Sequence, residues 1–196
     1  MPQATEPVPN LQAAKPKAPA DYKDREAWFT ASPDPWKEVA RLQFGGDRTF
    51  ATTVHRMIVH AERDQWPVVE KRLLQTLGDP EISEAGRQFV CRMLGLVGTE
   101  VCVPAVAKLL MNEPTADVAR LTFDVLPVAS VDEHYRAALG RLKGAPRAGL
   151  IGSIARRGDA RAVDALAVIA VDANETAAIR ALAERAIKKL NSTSTP

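Results

Sequence analysis

The stretch Arg87-Gln88-Phe89-Val90-Cys91-Arg92-Met93-Leu94-Gly95-Leu96-Val97-Gly98 decides the fold, because the chain repeats it. Its end, Leu94 to Gly98, is answered by Ile154-Ala155-Arg156-Arg157-Gly158. Each is followed by a similar second element, Val103-Pro104-Ala105-Val106-Ala107 in one case and Val163-Asp164-Ala165-Leu166-Ala167 in the other. The echo returns about every thirty residues, within the range that marks stacked supersecondary units.

The text on either side is helical. Asp34-Pro35 reads as an N-cap followed by proline at the first helical position, where a missing N–H is harmless. A helix over 36–44 then stops at Gly45-Gly46. A second runs over 47–63, with Phe50, Val54, Met57, Ile58 and Ala61 at helical spacing. Pro67 opens a third over 67–77, and Ser83 begins a fourth that ends at Val97. Further helices are predicted over 104–111, 115–126, 131–143, 146–157, 160–171 and 175–190. Thr115 is expected to cap its helix, whose apolar stripe is Val118, Leu121, Val125 and Leu126, and Pro127 to break it.

That makes ten helices in five hairpins. Leu77, Leu109, Leu142 and Ile169 fall at one repeat position, Leu94, Leu126, Ile154 and Ile187 at another, and Arg87, Arg147 and Arg180 at a third. One hairpin cannot bury its apolar face, but a stack can. The first hairpin, with most of the aromatics, reads as an end cap. Residues 1–33, rich in Pro, Ala and Lys, offer too little apolar surface to offset ordering, so a disordered arm is expected, with Trp28 and Phe29 docking on the first helices or, as the alternative, marking a short interaction motif. Residues 34–190 form the stack and 191–196 a frayed tail.

Hydrophobic residues at 46%, charged at 26% and aromatics at only 5% suit helices packed through small aliphatic side chains. The net charge of +2 excludes a global polyelectrolyte, yet residues 99–133 sum to −4 and residues 134–196 to +6. Opposed patches of this kind can steer a charged partner, or be solvated helix faces. Cys91 and Cys102, in apolar helical text, read as buried free thiols, with a disulfide as the alternative. No apolar run is long enough for a membrane helix and no signal-peptide core is present, so a cytoplasmic protein is expected.

Arg87 through Gly98, continuing into Thr99-Glu100-Val101-Cys102-Val103-Pro104-Ala105-Val106, resembles the HEAT repeats, in particular the short bacterial type of the phycobilisome lyases. Ile179-Arg180 through Ala183 and Ile187 is a second match. Trp36–Phe44 with Gly45-Gly46-Asp47, Phe89–Arg92 and Leu150–Ala155 are similar to HEAT-repeat proteins common in planctomycetes and verrucomicrobia. The resemblance spans residues 34–190 and carries no chemistry. It implies an all-α protein, a right-handed α–α superhelix whose second helices line the concave side. Two positions depart from the pattern: Pro127 stands where glycine is usual, and Arg156-Arg157 are more charged than usual.

Catalytic signatures are missing. His55 and His60 point about 140° apart on a helix and cannot clamp one metal by themselves. The recurring His-Glu pairs of deoxyhypusine hydroxylase, a HEAT-repeat metalloenzyme, do not occur. Neither a phosphate loop nor a nucleophile elbow is present; Gly149 and Gly152 serve close helix packing, and Asp132-Glu133 favour a helix start. No catalytic, metal or cofactor residue is therefore assigned, and no cofactor is expected.

A non-enzymatic scaffold that binds a protein through its inner helices is the leading expectation. Arg120, Asp124, Arg156, Arg157, Glu184 and Lys188 are its exposed-looking contact positions. Charge reversal at Arg156 and Arg157 is expected to spare the melting temperature. The alternative is an accessory or lyase-like protein handling a prosthetic group. A third reading is nucleic-acid binding through Arg136, Arg141, Lys143, Arg147, Arg156, Arg157 and Arg161, though the tryptophans lie far from these in sequence.

Overall fold

The computed structural model describes residues 34–193, and these contain ten α-helices and no strand. In chain order they are α1 Pro35–Ala40, α2 Thr49–His60, α3 Trp66–Leu77, α4 Glu84–Val97, α5 Val103–Leu110, α6 Glu113–Val125, α7 Ser130–Leu139, α8 Gly144–Arg157, α9 Val163–Val171 and α10 Ala177–Thr193. Short 3-10 turns precede α3 and α9. The expected arm, including Trp28 and Phe29, lies outside the described residues.

Helices pack as successive pairs: α1 on α2, α3 on α4, α5 on α6, α7 on α8 and α9 on α10. The second helices also form a row, in which α4 touches α2 and α6, and α8 touches α6 and α10. Leu94, Leu126 and Ile154 are buried in that row, while Ile187 is only half-buried. The first-helix set is less uniform: Leu142 and Ile169 are buried, Leu77 and Leu109 half-buried.

Caps explain the boundaries. Asp34 accepts from the Trp36 amide at 3.0 Å and Ser83 from the Gly86 amide at 2.9 Å. α1 stops at Ala40, short of the expected end, because the Ala40 carbonyl takes the Ser83 amide at 2.8 Å instead of a helical donor. The Ser83 hydroxyl adds a bond of 2.5 Å to the Leu42 carbonyl. The start of α4 is thereby tied to the end of α1. Gly86 makes this approach possible: a Cβ there would lie 2.6 Å from the Ala40 carbonyl oxygen.

Thr115 does not cap α6. Asn112 is its N-cap residue, and the Thr115 hydroxyl donates back to the Leu109 carbonyl at 2.7 Å. The stripe buried by α6 also differs from the expected one. Ala116, Ala119, Thr122, Phe123 and Leu126 face inward, while Leu121 and Val125 are exposed and Val118 is half-buried. Both sets have helical spacing. The Ala116–Ala119–Phe123 side turns inward because α4, α5 and α8 pack against it. At the other end of the chain α10 continues to Thr193, past the expected start of the tail.

Candidate functional site

Polar side chains staple each hairpin to the next. Between the second and third, the buried Glu70 accepts from the Thr99 amide at 2.8 Å and its hydroxyl at 2.9 Å. Between the third and fourth, the Ser130 hydroxyl donates to Glu100. Between the fourth and fifth, Arg136 pairs with Asp159 at 2.5 Å, and the buried Arg147 pairs with Glu175. Arg147 also donates to Gly140 O at 3.4 Å, and Arg180 to Glu175 O at 2.5 Å. Two arginines of the register set thus hold interhelical turns.

The candidate contact residues gather mainly at the α6–α8 seam. Arg120 reaches Asp117 and Asp124, both at 3.1 Å, and Ser153 at 3.3 Å. Arg156 reaches Asp124 at 2.7 Å and Ser153 at 2.9 Å. The buried Tyr135 hydroxyl lies 2.9 Å from Arg120 O and 3.0 Å from Asp124 Oδ1. Burial and the Asp124 charge both hold the Tyr135 phenol well above its ordinary range. Gly149 is the bed for Arg120, whose Nε would stand 2.8 Å from a Cβ on it. Gly149 therefore does serve close packing, but of a side chain against a helix.

Arg157 does something else. It ion-pairs with Asp132 and donates to the carbonyls of Phe123, Leu126 and Val128 at 3.4, 3.2 and 2.8 Å. These acceptors surround the end of α6, where Pro127 supplies no N–H. The expectation that Arg157 is an exposed contact is corrected: its side chain is mostly buried and closes a helix end. Arg120 and Asp124 are corrected in the same way, being largely covered within the seam network. Arg156, 57% exposed, and the exposed Glu184 and Lys188 remain available.

The charge asymmetry of the sequence has the same origin. Asp124 and Asp132 of the acidic segment receive Arg156 and Arg157 of the basic one. Of the basic cluster, Arg136, Lys143, Arg147, Arg156 and Arg157 all have carboxylate partners, with Lys143 3.8 Å from Glu175. Arg141 and Arg161 are exposed, and neither side chain is ion-paired among the described residues.

The sequence reading missed an apolar patch. Leu121 and Val125 on α6 are exposed, as is Leu96 on α4, and Val125 covers Gly95, where a Cβ would meet its Cγ2 at 2.7 Å. The signal was present: Leu121 and Val125 lie off the Ala116-Ala119-Phe123-Leu126 stripe. The thiols behave as buried apolar groups. Burial pushes Cys91 up from its ordinary 9.0 to about 11, and burial with the nearby Glu70 pushes Cys102 to about 12. Both are free, so the disulfide alternative is not realised.

No protein-family model, no curated protein and no solved structure matches this chain. Among the described residues, no helix is long and apolar enough to cross a membrane.

Proposed function

We propose that the chain is a HEAT-like α-solenoid, a right-handed superhelix of hairpins that acts as a non-enzymatic scaffold and holds a protein partner on its row of second helices. The solenoid reading draws on two regularities. Each hairpin packs on its neighbours, and the same repeat positions are buried in successive second helices.

The observation that carries the partner class is the exposed mixture on that row. Leu96, Leu121 and Val125 leave apolar surface open, and Arg156, Glu184 and Lys188 supply charge of both signs on α8 and α10. Exposed apolar side chains together with charges of both signs suit a protein surface. A phosphate backbone would instead call for unpaired cations, and most of the basic cluster already has carboxylate partners.

Affinity capture from the source cells tests this reading. Leu121→Asp with Val125→Lys should remove a captured protein while the melting temperature stays within a few degrees. An unchanged set of captured proteins rejects the face.

A further inference from the structure

Two exposed pairs of residues make one surface across α4 and α6. The two helices lie side by side, because the Thr122 hydroxyl donates to Cys91 O at 3.1 Å and Val125 packs over Gly95. That register sets Arg92 beside Leu121 and, one turn further on, Leu96 beside Val125. Leu96, Leu121 and Val125 are 52%, 58% and 62% exposed, and Arg92 is exposed among them. Nothing in the chain covers this apolar strip, yet its edges are charged.

On the α4 side Arg92 makes no ion pair among the described residues. On the α8 side Arg156 holds Asp124, the residue before Val125, and Ser153 through Nη2 alone. Its Nη1 stands beside Gly152, where a Cβ would meet that nitrogen at 3.5 Å and no other atom within 4 Å. The carboxylates nearby are already committed. Asp117 is held by Arg120, Asp124 by Arg120 and Arg156, and Glu84 accepts from Gln88 at 3.4 Å. The charge left to meet a partner is therefore positive at both edges.

We propose that the strip takes an amphipathic helix whose apolar side chains are flanked by carboxylates. The inference rests on the proposed second-helix face and adds what the partner must carry. Leu121 and Val125 are one turn apart, the spacing at which a docked helix presents its own apolar residues. Carboxylates on its two flanks then meet Arg92 and Arg156, as charge-assisted hydrogen bonds. A basic helix would set cation against cation at both edges. A phosphate backbone would lay its charge across three aliphatic side chains that it cannot bury. Beside the strip, Gly152 leaves the α8 backbone without a side chain, which gives the docked helix room.

Fluorescence anisotropy of the purified full chain with two synthetic helical peptides tests it. Both have about four turns and one leucine stripe, flanked by glutamate in one and by lysine in the other. The glutamate peptide should bind several-fold tighter, and added salt should shrink the difference. Arg92→Glu, at an exposed position, should reverse the preference with the melting temperature unchanged. Leu121→Asp with Val125→Lys should abolish binding of both. Equal binding of the two peptides, or a preference that Arg92→Glu leaves intact, overturns the carboxylate requirement while the face stands. Binding that survives the Leu121 and Val125 changes overturns the face as well. Failure of both peptides to bind overturns the helical partner, and affinity capture then judges the face separately.

Discussion

Arg157 donates to the carbonyl of Phe123 across 3.4 Å, the acceptor that Pro127 leaves without its helical N–H. The same guanidinium reaches Leu126 O at 3.2 Å and Val128 O at 2.8 Å. The proline and the arginine therefore compensate one another. A proline ends α6 early, and an arginine from the next hairpin supplies the missing donors.

Removing that arginine should be costly. Arg157→Ala leaves several carbonyls and Asp132 without their partner, and should lower stability by about 2–3 kcal/mol in urea unfolding. P127A restores a backbone donor, so in the Arg157→Ala background it should recover part of the loss. Strict additivity in the double-mutant cycle would contradict the coupling.

The buried Arg147–Glu175 pair gives a second test, because breaking it strands a charge. Glu175→Ala should destabilise by about 3–5 kcal/mol. Replacing Arg147 with Met as well should recover much of that, since two apolar groups need no partner. A double variant no better than the single one would argue against a stranded charge.

Two glycines should respond in opposite directions. Gly86→Ala drives a Cβ into the Ala40 and Val39 carbonyls, at 2.6 and 2.7 Å, and should cost about 1–3 kcal/mol by separating α1 from α4. Gly140 has a negative φ and open space around its Cβ position. Gly140→Ala should therefore raise stability by about 0.4–1 kcal/mol through the unfolded chain. Thermal melts of both variants check this, and equal effects would contradict the packing.

The thiols predict an alkaline limit. Their folded pKa values lie above the ordinary 9.0, so the unfolded chain loses these protons first. The contribution is intact below pH 9 and is lost as pH rises towards about 11 for Cys91 and about 12 for Cys102. Melting temperature should fall across that window, and less steeply for Cys91→Ala. Both thiols should resist alkylation at neutral pH until the protein unfolds.

Helix pairing was legible in the sequence because proline, glycine and cap residues punctuate it, and because Leu94, Leu126 and Ile154 recur at buried positions. The face of α6 was not. Val118-Leu121-Val125 and Ala116-Ala119-Phe123 share the same spacing, and only neighbouring helices decide which set turns inward. Charge was misread for a related reason. Composition shows Asp124, Asp132, Arg156 and Arg157 as opposed patches, while the fold brings them together across one seam. Arg156, Glu184 and Lys188 keep the exposure expected of them.

Arg156 and Arg157 are adjacent yet differ in task, one exposed and one closing a helix end, so comparing them is the most direct test. Arg156→Glu and Arg157→Glu should each be carried through affinity capture from the source cells and through thermal unfolding. Arg156→Glu should deplete a captured protein with little change in melting temperature, while Arg157→Glu should lower the melting temperature markedly. Equal melting temperatures for the two variants, or a capture profile that Arg156→Glu leaves untouched, would contradict this division of tasks.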